Sequence, residues 1–150
     1  MATRIILVRH GHVDGIQPER FRGRAEIPLS ALGEKQRLLT AARVKQSAAP
    51  EMVFTSSLGR CIATGESIAS ACDVSSQILP ELCDIDYGAW QWKTHDEVRQ
   101  NAPDAFSTWK KHPDQMQMPE GESLQQVLVR VTQALGKILR EYEGKTVVMV

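Results

Sequence analysis

Apolar residues in this chain follow two rhythms. Short runs at residues 5–8, 52–55 and 146–150 are rich in β-branched residues, leucine and methionine and are bounded by polar or turn residues. Such runs predict short buried strands, the first of them covered on both faces, and residues 74–79, closed by Pro80, offer a further strand. The second rhythm is a three-and-four spacing. Ser30 looks like an N-cap, and Leu32, Leu39, Ala42 and Val44 carry a partly amphipathic helix to about residue 47. After Arg60, Ile62, Ala63, Ser67 and Ile68 mark the inner face of a second helix, with Thr64 and Glu66 on its outer face. Residues 93–112 read as two short polar helices broken at Pro103. Leu124, Val127, Leu128, Val131, Leu135, Ile138 and Leu139 define a long helix, which Glu143, Gly144 and Lys145 end.

Strands alternating with helices predict an α/β fold, a three-layer αβα arrangement around a mostly parallel central sheet. No linker divides the chain, so residues 1–150 are expected to form a single domain. Residues 13–29 carry Gly15, Pro18, Gly23 and Pro28 and little periodicity. A loop of that length inside a compact domain is commonly functional.

Composition narrows the classes. With 42% hydrophobic and 24% charged residues, the chain is expected to be soluble and globular rather than disordered. Its 18 basic and 18 acidic residues cancel, which argues against a nucleic-acid partner. Cys61, Cys72 and Cys83 match no zinc or redox spacing and are expected to be small buried hydrophobes, as in a reducing compartment. The amino terminus lacks a signal-peptide core, and no apolar run approaches the roughly 18 residues of a membrane span. A cytoplasmic protein with no membrane partner is the expectation. Oligomeric state is not readable.

The chemistry gathers at strand ends. The first strand runs into Arg9, His10 and Gly11, and the second into Ser56, Ser57 and Arg60. In open α/β sheets, ligands bind at the carboxyl edge. Farther on, Glu81, Asp84 and Asp86 lie among Tyr87, Gly88 and Trp90. Two guanidiniums, an imidazole and a carboxyl make a phosphoryl-transfer set. Arginine binds phosphate oxygens bidentately and keeps its charge. A neutral imidazole is a competent nucleophile, and two nearby cations favour the neutral form. A carboxyl held against Tyr87 and Trp90 could protonate a leaving oxygen. Bland readings stand beside these. Asp84 and Asp86 also suit turns, and Ser56 and Ser57 suit turn and cap positions. Trp90 and Trp109 suit a core, while His95 and His112 read as exposed polar residues.

The segment Leu7-Val8-Arg9-His10-Gly11 resembles the signature of the histidine phosphatase superfamily, the phosphoglycerate mutase-like family. Further segments resemble that family in order: Arg20-Phe21-Arg22-Gly23 with residues 28–36, residues 55–64 around Arg60, residues 84–90, and Pro119-Glu120-Gly121-Glu122-Ser123. Five ordered segments are far more specific than one. The resemblance implies the phosphoglycerate mutase-like fold and no metal or organic cofactor. It implies that His10 attacks phosphorus, that Arg9 and Arg60 hold the phosphoryl oxygens, and that Asp84 protonates the leaving alcohol. Asp86 and Glu81 rank second and third as the acid. Gly11, Arg22 and Gly23 fall in its substrate-binding segments. His12 is either a further phosphate contact or a loop residue.

Some residues depart from the family pattern. The acid is usually glutamate, an asparagine stands where this chain has Ile16, and a glycine is frequent where it has Trp92. A second histidine is expected just past Val150, so residues 1–150 are expected to be an incomplete domain. The implied activity is hydrolysis of a small phosphorylated metabolite, similar to α-ribazole phosphatase. Mutase-type phosphoryl transfer and non-catalytic phospho-ligand binding are the alternatives.

Overall fold

The computed structural model describes residues 2–150. Its strands are β1 (Arg4–Leu7), β2 (Met52–Thr55), β3 (Ser76–Ile78) and β4 (Thr146–Met149). Its helices are α1 (Ala31–Ser47), α2 (Gly59–Cys72), α3 (His95–Asn101), α4 (Pro103–Lys111) and α5 (Leu124–Glu141). The chain forms two compact units. The first comprises residues 2–14, Glu26–Cys83 and Gln133–Val150; the second comprises Gly15–Ala25 and Asp84–Thr132. Each unit is assembled from separated stretches, so no linker in the sequence marks the boundary.

The first unit holds the sheet. All its strand pairs are parallel, in the order β1-β4-β2-β3. Alternate side chains face opposite layers, as a period of two requires. Val53 and Val148 pack with Ala41 and Val44 of α1 and Ile68 and Ala69 of α2. Phe54, Val147 and Met149 pack with Leu135 and Ile138 of α5. The three-layer αβα arrangement is therefore present. Fully burying a side chain such as Ile68 or Ile138 contributes about 1.5–3 kcal/mol.

Local chemistry explains the element ends. Ser30 accepts a hydrogen bond from the Gly33 amide and caps α1. Asp73 adopts the left-handed conformation that closes α2. Thr94 and Glu97 form a reciprocal capping box on α3. Pro103 starts α4 one residue after Ala102 closes α3.

The structure corrects several sequence expectations. The first strand is not buried on both faces: among the described residues β1 lies at a sheet edge, pairs only with β4, and leaves Leu7 78% exposed. On α1, Leu32 and Leu39 are exposed, and the inner face is Gly33, Ala41 and Val44. On α2, Thr64 is inward and fully buried. In both helices, small side chains let the backbones approach closely, a packing that hydrophobicity alone does not signal. Cys61 is buried, while Cys72 and Cys83 are half-buried.

The second unit has an aromatic and methionine core of Phe21, Ile85, Trp90, Val98, Met116 and Met118. His95 is not an exposed polar residue. Its ring packs on Phe21 at 4.6 Å and Trp109 at 5.1 Å, and its Nδ1 lies 3.1 Å from Glu19. Burial lowers its pKa; Glu19 and Asp96 oppose that shift and Lys110 adds to it. His112 is exposed, as read. Among the described residues, no helix is long and apolar enough to cross a membrane.

Candidate functional site

In the first unit, β1 and β4 carry the chain to the sheet's carboxyl edge, where Val8 still donates its amide to the Met149 carbonyl. His10 follows at once. Its Nδ1 lies 2.7 Å from the Gly11 carbonyl oxygen. A carbonyl only accepts, so Nδ1 carries the proton. The buried Arg60 donates its Nε–H to His10 Nε2 at 3.2 Å. A guanidinium only donates, so Nε2 presents its lone pair. Two independent contacts thus select one tautomer, with Nε2 as the basic nitrogen. Arg60 is the second residue of α2, where a cation opposes the helix dipole. Glu26 offsets this, accepting the Gly59 amide at 3.2 Å beside it.

The histidine loop is braced from beneath. Thr64 accepts the Gly11 amide at 3.4 Å and donates to the Arg60 carbonyl at 2.8 Å, joining the His10 and Arg60 backbones through one buried hydroxyl. Gly11 is itself buried, and a Cβ there would lie 2.5 Å from the Gly33 carbonyl oxygen. The glycine serves close approach to the start of α1. His12 is anchored too: its amide donates to Gln36 at 2.7 Å, and its Nδ1 lies 2.7 Å from the Ser30 hydroxyl. Arg9 is exposed.

The remaining predicted residues, Arg22, Gly23 and Asp84, belong to the second unit. Gly23 has φ +37°, and a Cβ on it would meet the Ile85 carbonyl and the Tyr87 ring, so it seats this loop against the acidic segment. Asp84 is exposed rather than walled in, and its Oδ1 accepts the Ile85 amide at 2.8 Å. Asp86 accepts the Gly88 amide at 2.8 Å, the turn role that its glycine neighbour suggested. Glu81 sits in the first unit, on the single turn Pro80–Leu82. The Tyr87 phenol is pushed up in pKa by burial, then by the Asp84 charge, against a downward pull from Arg22. The phenol therefore senses both groups. A cavity of about 210 Å³ in this unit is lined by Ile16, Arg20, Arg22, Tyr87, His95 and Trp109, with Glu19 at its side. Trp92 sits at φ +66°, a conformation that favours the glycine frequent at that position. Its ring lies under the Arg20 guanidinium, 5.1 Å away.

Sequence reading missed Thr64 and Glu26 as braces, and missed the part played by Glu122, whose carboxylate accepts from Arg130 and pairs with Arg24. Thr64 carries no signal beyond being a polar residue on an apolar helix. Arg24 and Glu122 are remote in sequence, and nothing local couples them. Among the described residues, no group of histidine, cysteine or carboxylate side chains is disposed to hold a metal ion.

Comparison with known proteins agrees with this architecture. A family model described as histidine phosphatase superfamily (branch 1) matches residues 5–150. The chain is 30% identical to the bifunctional protein Rv2228c of Mycobacterium tuberculosis, over 99% of its own length and 40% of that protein's. It is 31% identical to the metal-independent phosphoserine phosphatase of Arabidopsis thaliana, over 99% of its own length and 63% of that protein's. The chain thus spans less than two thirds of either relative. Among solved structures, YhfR of Bacillus stearothermophilus superposes with a TM-score of 0.91 at 30% identity, covering 99% of this chain and 73% of that one.

Proposed function

The chain belongs to branch 1 of the histidine phosphatase superfamily, and on that premise we propose that it hydrolyses small phosphomonoesters through a phosphohistidine on His10. The observation that carries the reading is the fixed tautomer: Nδ1 is committed to the Gly11 carbonyl and Nε2 is presented beside Arg60. The Nε2 lone pair attacks phosphorus and the bond from phosphorus to the ester oxygen breaks. The departing oxygen takes a proton from Asp84. The Asp84 carboxylate then accepts a proton from water, the hydroxide attacks phosphorus, the P–N bond breaks, and phosphate leaves with His10 restored. The Gly11 carbonyl faces the charge that develops on the ring during attack. Arg60 and Arg9 hold the phosphoryl oxygens, supplying positive charge without a metal.

Arg22, Gly23 and His12 are the proposed substrate-side residues. Specificity is assigned to the loop of residues 15–25 and to α3 and α4, because the cavity beside Arg22 draws its walls from these segments. A small phosphorylated metabolite in the cytoplasm is the proposed substrate.

The test is turnover of p-nitrophenyl phosphate carrying a radiolabelled phosphoryl group, with an alkaline denaturing quench, which preserves the acid-labile P–N bond of phosphohistidine. Wild-type protein is expected to accumulate label, and His10→Ala to lose both label and turnover. Turnover that survives in His10→Ala would remove the mechanism. Saturable phosphate binding without any hydrolysis would favour a binding protein. Bisphosphate-primed isomerisation of a phosphoglycerate, with no phosphate released, would favour a mutase.

A further inference from the structure

Glu122 lies just ahead of α5, and its carboxylate is the centre of a charged cluster in the second unit. Oε1 and Oε2 accept the Nε–H and an Nη2 hydrogen of Arg130, each at 2.9 Å, a bidentate fork. Arg24 Nη2 approaches Oε1 at 3.0 Å. The Asp86 amide donates to Oε2 at 3.0 Å, while the Glu122 amide donates back to the Asp86 carbonyl at 2.9 Å. Both arginines continue to one atom. Arg130 Nη2 donates to the Asp84 carbonyl at 3.1 Å and Arg24 Nε at 3.3 Å.

The backbone on either side of Asp84's carboxyl is thus held by one acid: its own carbonyl through two arginines, and the amide two residues on directly. This is more than a turn needs. Asp86 already closes the local turn through Gly88, so Glu122 adds a constraint aimed at the segment's placement. Burial would raise the Glu122 carboxyl, but the hydrogen bonds from Arg130 and the Asp86 amide, with the Arg130 and Arg24 charges, hold it below the usual carboxylate range.

We infer that Glu122 is a positioning residue for proton transfer by Asp84, fixing the acid's backbone and balancing the two guanidiniums beside it. The inference rests on the reading of Asp84 as the proton donor. The charged and titratable groups around Asp84 are Arg24, Arg130, Glu122, Asp86, Tyr87 and Arg22. Removing the Glu122 charge leaves Arg24 and Arg130 less compensated. The backbone that aims the Asp84 carboxyl then loses its common anchor, and proton delivery to the leaving oxygen slows.

The experiment compares two phosphoryl donors in single-turnover phosphorylation of His10. p-Nitrophenolate leaves without a proton, whereas the alkoxide of glycerol phosphate needs one. Glu122→Gln is expected to slow transfer from glycerol phosphate about tenfold to a hundredfold, a part of the roughly hundredfold to ten-thousandfold that general-acid catalysis supplies. Transfer from p-nitrophenyl phosphate should stay within about threefold. Arg24→Met, at an exposed side chain, should show a smaller loss with the same selectivity, and it carries the test if Glu122→Gln does not fold. Equal losses on both donors, or none, would overturn the inference. Asp84→Asn is measured in parallel. If it does not discriminate between the donors, Asp84 is not the acid, and the inference falls with that reading. If it does and Glu122→Gln does not, only the role of Glu122 falls.

Discussion

At the scale of single residues, the arrangement around His10 depends on groups that never touch substrate. Thr64 is the clearest. Its hydroxyl is buried, accepts from Gly11 and donates to the Arg60 carbonyl, so one oxygen couples the loop of the proposed nucleophile to the helix of its guanidinium partner. Thr64→Val keeps the shape and deletes the hydroxyl, leaving a buried amide without its acceptor. The cost is expected to be about 1–2 kcal/mol in urea unfolding. The phosphorylation rate of His10 should fall as well, because the loop loses its tie. Thr64→Ser restores the hydroxyl at the expense of one methyl, and should recover most of the rate while remaining slightly destabilised. A rate in Thr64→Val equal to wild type would show that the brace serves the fold alone. Arg60 teaches a related lesson. A cation at the start of a helix is unfavourable on its own, yet here it is buried, with Glu26 on the adjacent amide.

At the scale of elements, two glycines in helices should respond to the same substitution with opposite signs. Alanine normally stabilises a helix interior by up to about 1 kcal/mol over glycine. Gly136 in α5 is such a position: the nearest atom to a new Cβ there is the mobile end of Arg140, at 3.5 Å. Gly136→Ala is expected to gain about 0.5–1 kcal/mol. Gly33 in α1 has the His12 carbonyl oxygen 2.1 Å from where a Cβ would sit. Gly33→Ala must force α1 off the histidine loop, and is expected to lose about 1–3 kcal/mol along with activity. Thermal or urea unfolding of the pair decides it, and a stabilised Gly33→Ala would disprove the close packing. These positions also mark how far sequence carried. Apolar runs located β1, β2 and β4, and Pro80 marked the close of the exposed β3, while the Ser30 cap, the Pro103 break and the spacing in α5 located the helices. Which face of α1 and α2 turns inward was not legible, because small residues there pack through backbone proximity rather than hydrophobicity. The edge position of β1 was not legible either, since strand order depends on pairing and a local run reports only strand tendency. In the site, His10 and Arg60 were legible because each follows a strand. Glu122 was not, because its partner Arg24 is remote in sequence.

At the scale of the whole molecule, the two units should differ in their response to acid, and intrinsic fluorescence can isolate one of them. All three tryptophans, Trp90, Trp92 and Trp109, belong to the second unit, so their emission reports on it alone. That unit also holds two titrating groups displaced in the folded state. His95 is lowered from the ordinary value of 6.5, chiefly by burial among aromatic rings. Below 6.5 the unfolded chain takes up a proton that folded His95 resists, so stability falls as pH drops from about 7 towards 5. Glu122 is lowered from the ordinary value of 4.5. Its stabilisation is complete above 4.5 and is lost as pH falls below that value, because the unfolded carboxylate protonates first. Two separate declines are therefore expected in the urea midpoint followed by tryptophan emission: one between pH 7 and 5, the other below 4.5. His95→Phe fills the same aromatic cluster without a titrating group, so it should flatten the first decline and leave the second. A wild-type midpoint constant from pH 7 to 5, or a first decline that persists unchanged in His95→Phe, would show that His95 does not set this dependence. Because Asp84 and Arg22 lie in this same unit, mild acid would loosen the segment carrying the proposed proton donor while the sheet and His10 in the other unit held. Activity should then decline along with tryptophan emission.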